Sequence, residues 1–214
     1  MSMKSQVRAL TPECPRTFDE GFDMPVCGID EVGRGPLAGP VVAACVFIPE
    51  DAKTLGFWDL VTDSKKLSAK KRELLYPEIT TYCAYSIAEI TPEEIDSLNI
   101  HHATLKAMKQ AYETIEIAND HMALIDGKFV PQITCPAQNV IKGDSKSLSI
   151  AAASIIAKVH RDKIMATLHE DHPHYGWDRN AGYGTAQHLE GIRQHGITPH
   201  HRKSFAPCKS LNRL

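Results

Sequence analysis

Cys27-Gly28-Ile29-Asp30-Glu31-Val32-Gly33-Arg34-Gly35-Pro36-Leu37-Ala38-Gly39-Pro40 is the stretch on which the reading of the chain turns. A short apolar run, Val26 to Ile29, is closed by two adjacent carboxylates, and a loop dense in glycine and proline follows at once. That order spells a strand, a charged strand end and a tight backbone. Neighbouring side chains on a regular strand face opposite ways, so Asp30 and Glu31 can serve one site only where the strand ends or twists. Beyond the loop, Val41 to Ile48 is rich in β-branched and apolar residues and reads as a second strand buried on both faces. The two acids are expected beside a hairpin.

Three readings of the loop compete. Gly33, Gly35 and Ala38 match the dinucleotide fingerprint G-x-G-x-x-G/A, but that fingerprint opens a helix, and here a strand follows with Pro36 and Pro40 flanking the turn. An ordinary surface turn explains the glycines but not why two charges end an apolar strand. A metal site beside a backbone that a polyanion can approach explains both, because glycine has no Cβ.

At these residues the chain resembles a known family. Gly28 to Pro40 is similar to the signature of bacterial ribonuclease HII, which cuts RNA strands within RNA/DNA hybrids. The resemblance continues, in the family's order, through Asp63-Ser64-Lys65-Lys66-Leu67, Ile125-Asp126-Gly127, Lys142-Gly143-Asp144 with Ile150 to Asp162, Gly182-Tyr183-Gly184-Thr185 and His201-Arg202-Lys203-Ser204-Phe205.

Composition sets the bounds around those motifs. The 214 residues are 43% hydrophobic and 23% charged, which suits one globular domain with at most a small appendage. The expected division is a polar N-terminal extension over 1–24, a catalytic domain over 25–170 and a basic helical region over 171–214 that helps bind substrate. Residues 1–24 hold no apolar run of signal-peptide length, and no stretch of about 18 apolar residues suggests a membrane span. None of the six cysteines forms a C-x-x-C pair, so reduced thiols in a cytoplasmic protein are expected.

The formal net charge of −2 does not announce a nucleic-acid binder, but its distribution matters more than its sum. From Arg193 to the C-terminus the sequence carries Arg193, Arg202, Lys203, Lys209 and Arg213 and no acid. A second cluster comprises Lys65, Lys66, Lys70, Lys71 and Arg72. Such runs are ordinarily solvated faces, and only their pairing with a carboxylate site gives them a functional reading.

Further along, a linker over 49–57 leads to a helix from Ser68 to about Thr80, capped by Ser68, and to a strand near Tyr85 to Ile90. Ser68 to Lys71 fits S-x-x-K, but no S-D-N or K-T-G partner accompanies it. Thr91-Pro92-Glu93-Glu94 spells a capping box. A helix over about Ile100 to Ile117 is expected to bury Leu105, Met108, Tyr112 and Ile115, with His101 and His102 as surface or capping groups. Another helix, Thr185 to His195, ends at Gly196. The histidines from His169 to His201 lack H-E-x-x-H spacing and are expected on the surface or facing phosphates.

Met122 to Asp126 repeats the opening theme, an apolar strand ending in a carboxylate with glycine after it. If the two strands are parallel neighbours, Asp30 and Asp126 come within reach of one ion. Asp144 precedes a helix from about Ser147 to Leu168, whose face of Ile150, Ala151, Ser154 and Ala157 can lie close to a sheet, and it could equally serve only to start that helix. Carboxylates gathered this closely raise one another's pKa or require cations between them, and oxygen-only ligands favour Mg²⁺ or Mn²⁺ over zinc. Asp30, Glu31, Asp126 and Asp144 are the candidate ligands of two divalent ions, Mn²⁺ or Mg²⁺. Such a pair can activate a water and stabilise a departing 3′ oxygen.

The resemblance implies an α/β ribonuclease H-like domain, a mixed sheet with helices on both faces, and a small helical C-terminal appendage. It also implies endonucleolytic cutting of the RNA strand of a hybrid, or at a ribonucleotide embedded in duplex DNA, leaving 5′-phosphate and 3′-hydroxyl ends. By the same resemblance, Gly33, Arg34 and Gly35 present backbone groups to the 2′-hydroxyl, Lys65 contacts the nucleic-acid backbone, and Tyr183 stacks on the sugar at an RNA-to-DNA step. On its residues alone Tyr183 could equally be core packing at a glycine-flanked turn. A DNA-only two-metal nuclease and a non-catalytic nucleic-acid-binding module remain as alternatives. The chain is expected to be a monomer, and no clamp-binding peptide stands out near Leu211, so contact with a sliding clamp is left open.

Overall fold

The computed structural model describes residues 15–117 and 120–211. Cys14, Arg213, most of the expected N-terminal extension and the side chain of Leu211 lie outside this description. The strands β1 (Val26–Val32), β2 (Val41–Phe47), β3 (Ala84–Ile90), β4 (Met122–Asp126) and β5 (Ala137–Val140) form one sheet in the order β3-β2-β1-β4-β5. The helices are α1 (Pro15–Asp19), α2 (Ala69–Tyr82), α3 (Pro92–Leu98), α4 (Ile100–Thr114), α5 (Leu148–Asp171), α6 (Trp177–Asn180), α7 (Ala186–His195) and α8 (Cys208–Leu211). The first three strands form an antiparallel meander, while β4 joins β1, and β5 joins β4, in parallel. The mixed sheet with helices on both faces is the one expected.

Strand β2 shows why both faces are covered. Val42, Ala44 and Val46 enter a core with α5 and α2, while Val41, Ala43 and Cys45 enter a second core beneath α4. Alternation with period two sends successive apolar residues to opposite layers, so a continuous apolar run is stable only between two helical layers.

Helix α5 begins where Ser147 Oγ accepts the Ile150 amide at 3.2 Å, and its run of small residues, Ala151 to Ala153 and Ala157, is wholly buried. The start of the helix lies directly on β1. A Cβ added to Gly28 would stand 2.2 Å from the Ile150 nitrogen, so only glycine admits this approach.

Helix α4 departs from the expected stripe. Its buried face is Ala103, Thr104, Ala107, Met108 and Ala111, whereas Leu105, Tyr112 and Ile115 are half-buried at its flank, and the helix ends at Thr114. Small residues on this face let the helix pack against β2 and β3. Its N-terminus is capped by Asn99, whose Oδ1 accepts the amides of His101 and His102, rather than by either histidine. The expected capping box at Thr91 and Glu94 is formed at the start of α3. The segment expected as a plain linker folds into short 3-10 turns over Ala52–Thr54 and Gly56–Leu60, and buries Trp58, whose Nε1 donates to Ala52 O at 2.7 Å.

The C-terminal region shares a third core with the glycine loop and α5, through Leu37, Ala38, Met165, Tyr175, Trp177, Ile192 and Cys208. Two expectations about its charged residues are corrected. Arg202, counted as a surface cation, is fully buried, and so are His188 and His201, expected at the surface. Polarity alone points such residues outward; here each finds hydrogen-bond partners inside. Among the described residues no helix is long and apolar enough to cross a membrane, and Cys27, Cys45, Cys83, Cys135 and Cys208 are free thiols.

Candidate active site

The parallel register pairs Ile29 of β1 with Ile125 of β4, so Asp30 and Asp126 follow at the same end of neighbouring strands. Oxygens of Asp30, Glu31 and Asp126 lie within 4.8 Å of one another. Strand β1 does not end at the acids, as the sequence suggested, but runs on to Val32. The adjacent residues share the site because the Asp30 carboxylate turns along the chain, its Oδ1 accepting the Glu31 amide at 2.7 Å. Asp126 is fixed from the other side by the Gly143 amide, which donates to its Oδ1 at 2.6 Å.

Asp144 is the next residue after that amide, in a 3-10 turn over Gly143–Ser145 just before α5. It is buried and feels the charges of Asp126 and Asp63, but it stands outside the group of three whose oxygens meet. Lys65 faces it, Nζ to Oδ2 3.7 Å, from an exposed position. The turn bearing Lys65 is held by Arg72, which donates to Ser64 O at 2.9 Å and Leu67 O at 2.6 Å and lies 3.6 Å from Asp162 of α5.

The charge state of the cluster follows from this crowding. Burial, and then the charges of Glu31 and Asp126, push the Asp30 carboxyl well above the usual carboxylate range. Burial pushes Glu31 up to about 7, Arg34 at 3.4 Å opposing and Asp126 adding to the rise. Asp144 is raised by burial, then by Asp126 and Asp63. Burial opposes the charge on Lys65, yet Asp30 and Asp144 outweigh it and hold its ammonium above its ordinary value. Negative charge is thus in excess of what the nearby cations neutralise. The donors are carboxylate oxygens throughout, a set that suits a hard divalent cation and not zinc or copper. The chemistry of the cluster suggests a site for a divalent metal ion.

Beside it the glycine loop is held from beneath by two fully buried arginines that the sequence reading had not singled out as supports. Arg202 donates to the carbonyls of Gly33 (2.5 Å), Arg34 (3.0 Å) and Gly39 (2.9 and 3.0 Å). Arg161 of α5 donates to Pro40 O (2.9 Å), Ala38 O (3.0 Å) and Ala181 O (2.8 Å). Among the described residues neither has a carboxylate within ion-pair distance, and burial pulls them down to about 9 and about 10 respectively. Gly33 has a φ of +91°, and a Cβ there would stand 2.2 Å from Arg161 Nε. Arg34 and Gly35 face solvent. Tyr183 is 49% exposed, so it is not core packing, and one of its ring carbons would lie 3.3 Å from a Cβ placed on Gly35.

The sequence model of ribonuclease HII matches residues 27–208, a span that contains every residue of this site. The chain belongs to the ribonuclease HII family. The ribonuclease HII of Magnetococcus marinus is 53% identical over 189 residues, covering 87% of this chain and 86% of that protein. The crystal structure of ribonuclease H2 from Pyrococcus horikoshii OT3 matches with a TM-score of 0.74 at 26% identity, covering 89% of this chain and 98% of that one. Ribonuclease HII from Archaeoglobus fulgidus, solved in complex with PCNA, matches at 0.66 with 27% identity, covering 84% and 94%. As a ribonuclease HII, the chain cleaves RNA in RNA/DNA hybrids.

One signal in the sequence could have found Arg161. It falls at four-residue intervals with Ala157 and Met165, on the face of α5 that the apolar pattern buries. Asp63 acts on Asp144 in the folded chain, although nothing in its spacing along the sequence links the two.

Proposed function

We propose that Asp30, Glu31, Asp126 and Asp144 hold two divalent ions, Mg²⁺ or Mn²⁺, and that the chain hydrolyses the RNA strand endonucleolytically at the phosphodiester seated over them. The observation that carries this reading is the meeting of three carboxylates within 4.8 Å beside the glycine loop. When bound, such ions supply a water activated for attack and charge stabilisation at the departing 3′ oxygen, giving 5′-phosphate and 3′-hydroxyl ends. The protein's own part is to bind and orient. Asp30 is buried, which excludes bulk water from one side of the site. Lys65, exposed at the rim, meets the phosphate backbone as a point charge.

Discrimination of RNA from DNA falls to Gly33, Arg34 and Gly35. Their backbone groups are the ones proposed to meet the 2′-hydroxyl; the bonds from Arg202 to the carbonyls of Gly33 and Arg34 fix the loop from within, and Arg34 and Gly35 are exposed to the substrate side. Tyr183 stacks on the sugar at the RNA-to-DNA step, extending the activity to a single ribonucleotide embedded in duplex DNA. Residues 171–214 contribute to substrate binding through this tyrosine.

The test is a cleavage gel with all-DNA, RNA/DNA hybrid and single-ribonucleotide duplexes, each with Mg²⁺, Mn²⁺ or chelator. Cutting of the second and third substrates in metal, and of neither in chelator, is expected. Cutting of all-DNA duplex would replace this reading with a general nuclease. Tyr183→Ala is expected to lose about tenfold more on the single ribonucleotide than on the hybrid, the scale of one lost stacking contact.

A further inference from the structure

Beneath Tyr183 lies a buried polar chain in which the protons can be placed from the partners alone. The Thr198 amide donates to His201 Nδ1 at 2.9 Å, so the proton of a neutral His201 is on Nε2. That nitrogen lies 3.2 Å from His188 Nε2, which also accepts the indole N–H of Trp177 at 3.0 Å. With two donors aimed at it, His188 Nε2 is bare and the proton is on Nδ1, 2.9 Å from the carbonyl of Tyr183. The same carbonyl accepts the Thr185 amide at 2.8 Å, and the Tyr183 amide donates to Asn180 O at 2.9 Å.

Both histidines are fully buried, whereas the ring of Tyr183 is half exposed. A buried hydrogen-bond network, costly if left incomplete, is therefore spent on fixing one peptide unit whose side chain makes little use of the core. The neighbouring Gly182, at φ +83°, lies against Ala38 of the glycine loop, and Leu37 N donates to Gly182 O at 2.8 Å. The position of the Tyr183 backbone is thereby tied to the loop that faces the 2′-hydroxyl.

We propose that His188, oriented by His201 and Trp177, is a positioning residue that sets Tyr183 at a fixed offset from the glycine loop and so governs cutting at single ribonucleotides. This rests on the reading of Tyr183 as the reader of the RNA-to-DNA step. A merely structural role would lower both substrates together and would follow thermal stability; a positioning role moves their ratio.

The test compares kcat/KM on a duplex with one embedded ribonucleotide with that on a long hybrid, alongside the Tm of each variant. Asn places its amide N–H near the Nδ1 position of histidine, whereas Gln reaches only toward Nε2. His188→Asn is expected to keep the ratio within about twofold of the parent and His188→Gln to lower it about tenfold, the factor that corresponds to one buried hydrogen bond. Tyr183→Ala should lower it as much, and the double variant His188→Gln/Tyr183→Ala no further, because the two act on one contact. Equal ratios for the Asn and Gln variants, with Tyr183→Ala still lowering the ratio, would overturn the role of His188. An unchanged ratio in Tyr183→Ala would overturn the junction reading itself, and the positioning role with it.

Discussion

The guanidinium of Arg202 and the carbonyl of Gly33 lie 2.5 Å apart, Nη2 to O, joining the C-terminal region to the loop beside the acids. Arg202 makes this bond and its others from full burial and without a carboxylate at ion-pair distance among the described residues. Lysine would keep the charge but lose the planar fork, leaving carbonyls unsatisfied. Arg202→Lys is expected to lose roughly 3 kcal/mol of stability, measured as a lowered urea midpoint at constant slope. An unchanged midpoint would mean that the loop carbonyls find partners elsewhere.

Mutual repulsion in the acidic cluster gives a prediction of opposite sign. Asp30→Asn is expected to abolish cutting in either metal while hybrid binding persists. In chelator the same variant should be more stable than the parent, by about 1 kcal/mol or more, because it removes a buried charge crowded by Glu31 and Asp126. Adding Mg²⁺ should then raise the parent's Tm and leave that of the variant nearly unmoved. Full activity in the variant would remove the metal-site assignment.

Acid stability should depend on His201. Burial, and then the repulsion it would meet from His188 if both rings were protonated, pull its folded pKa down to about 3 from an ordinary 6.5. The unfolded chain therefore binds the proton first, and the stability held by the neutral ring is complete above about pH 6.5 and falls as the pH drops toward about 3. Against His201→Gln, which cannot titrate, the parent should lose about 1.4 kcal/mol more per pH unit within that window. Parallel curves from urea melts at pH 7, 6 and 5 would contradict the buried neutral state.

Gly28→Ala tests the approach of α5 to the sheet. The new methyl would stand 2.2 Å from backbone atoms of Ser149 and Ile150, which cannot yield as a side chain would. A loss of about 3 kcal/mol is expected, at the upper end for overpacked cores, together with a fall in activity because Asp144 precedes the displaced helix. A stable and active variant would show that the helix start can slide.

Much of the site was legible because strand periodicity is simple. Two apolar runs ending in Asp30 and Asp126 predict acids at one sheet edge, and the parallel register of β1 and β4 brings them together. What escaped is instructive in physical ways. The buried face of α4 was misread because alanine contributes little to an apolar pattern, yet it is what close helix-to-sheet contact selects. Arg202, His188 and His201 were read as surface groups because their burial depends on partners such as Gly33, Tyr183 and Thr198 that only the folded chain supplies. Asp144 is near enough to feel Asp126 but stands outside the group of three whose oxygens meet, a distinction that spacing cannot encode.

The apolar cluster shared by Leu37, Met165 and Cys208 has a consequence for how the molecule comes apart. Shortening the polypeptide from its carboxyl end is expected to remove Cys208 and then Arg202, and with them the floor of the glycine loop, before it reaches the strands that bear the acids. If the glycine loop reads the 2′-hydroxyl as proposed, damage from that end is expected to blunt choosiness before it extinguishes hydrolytic power.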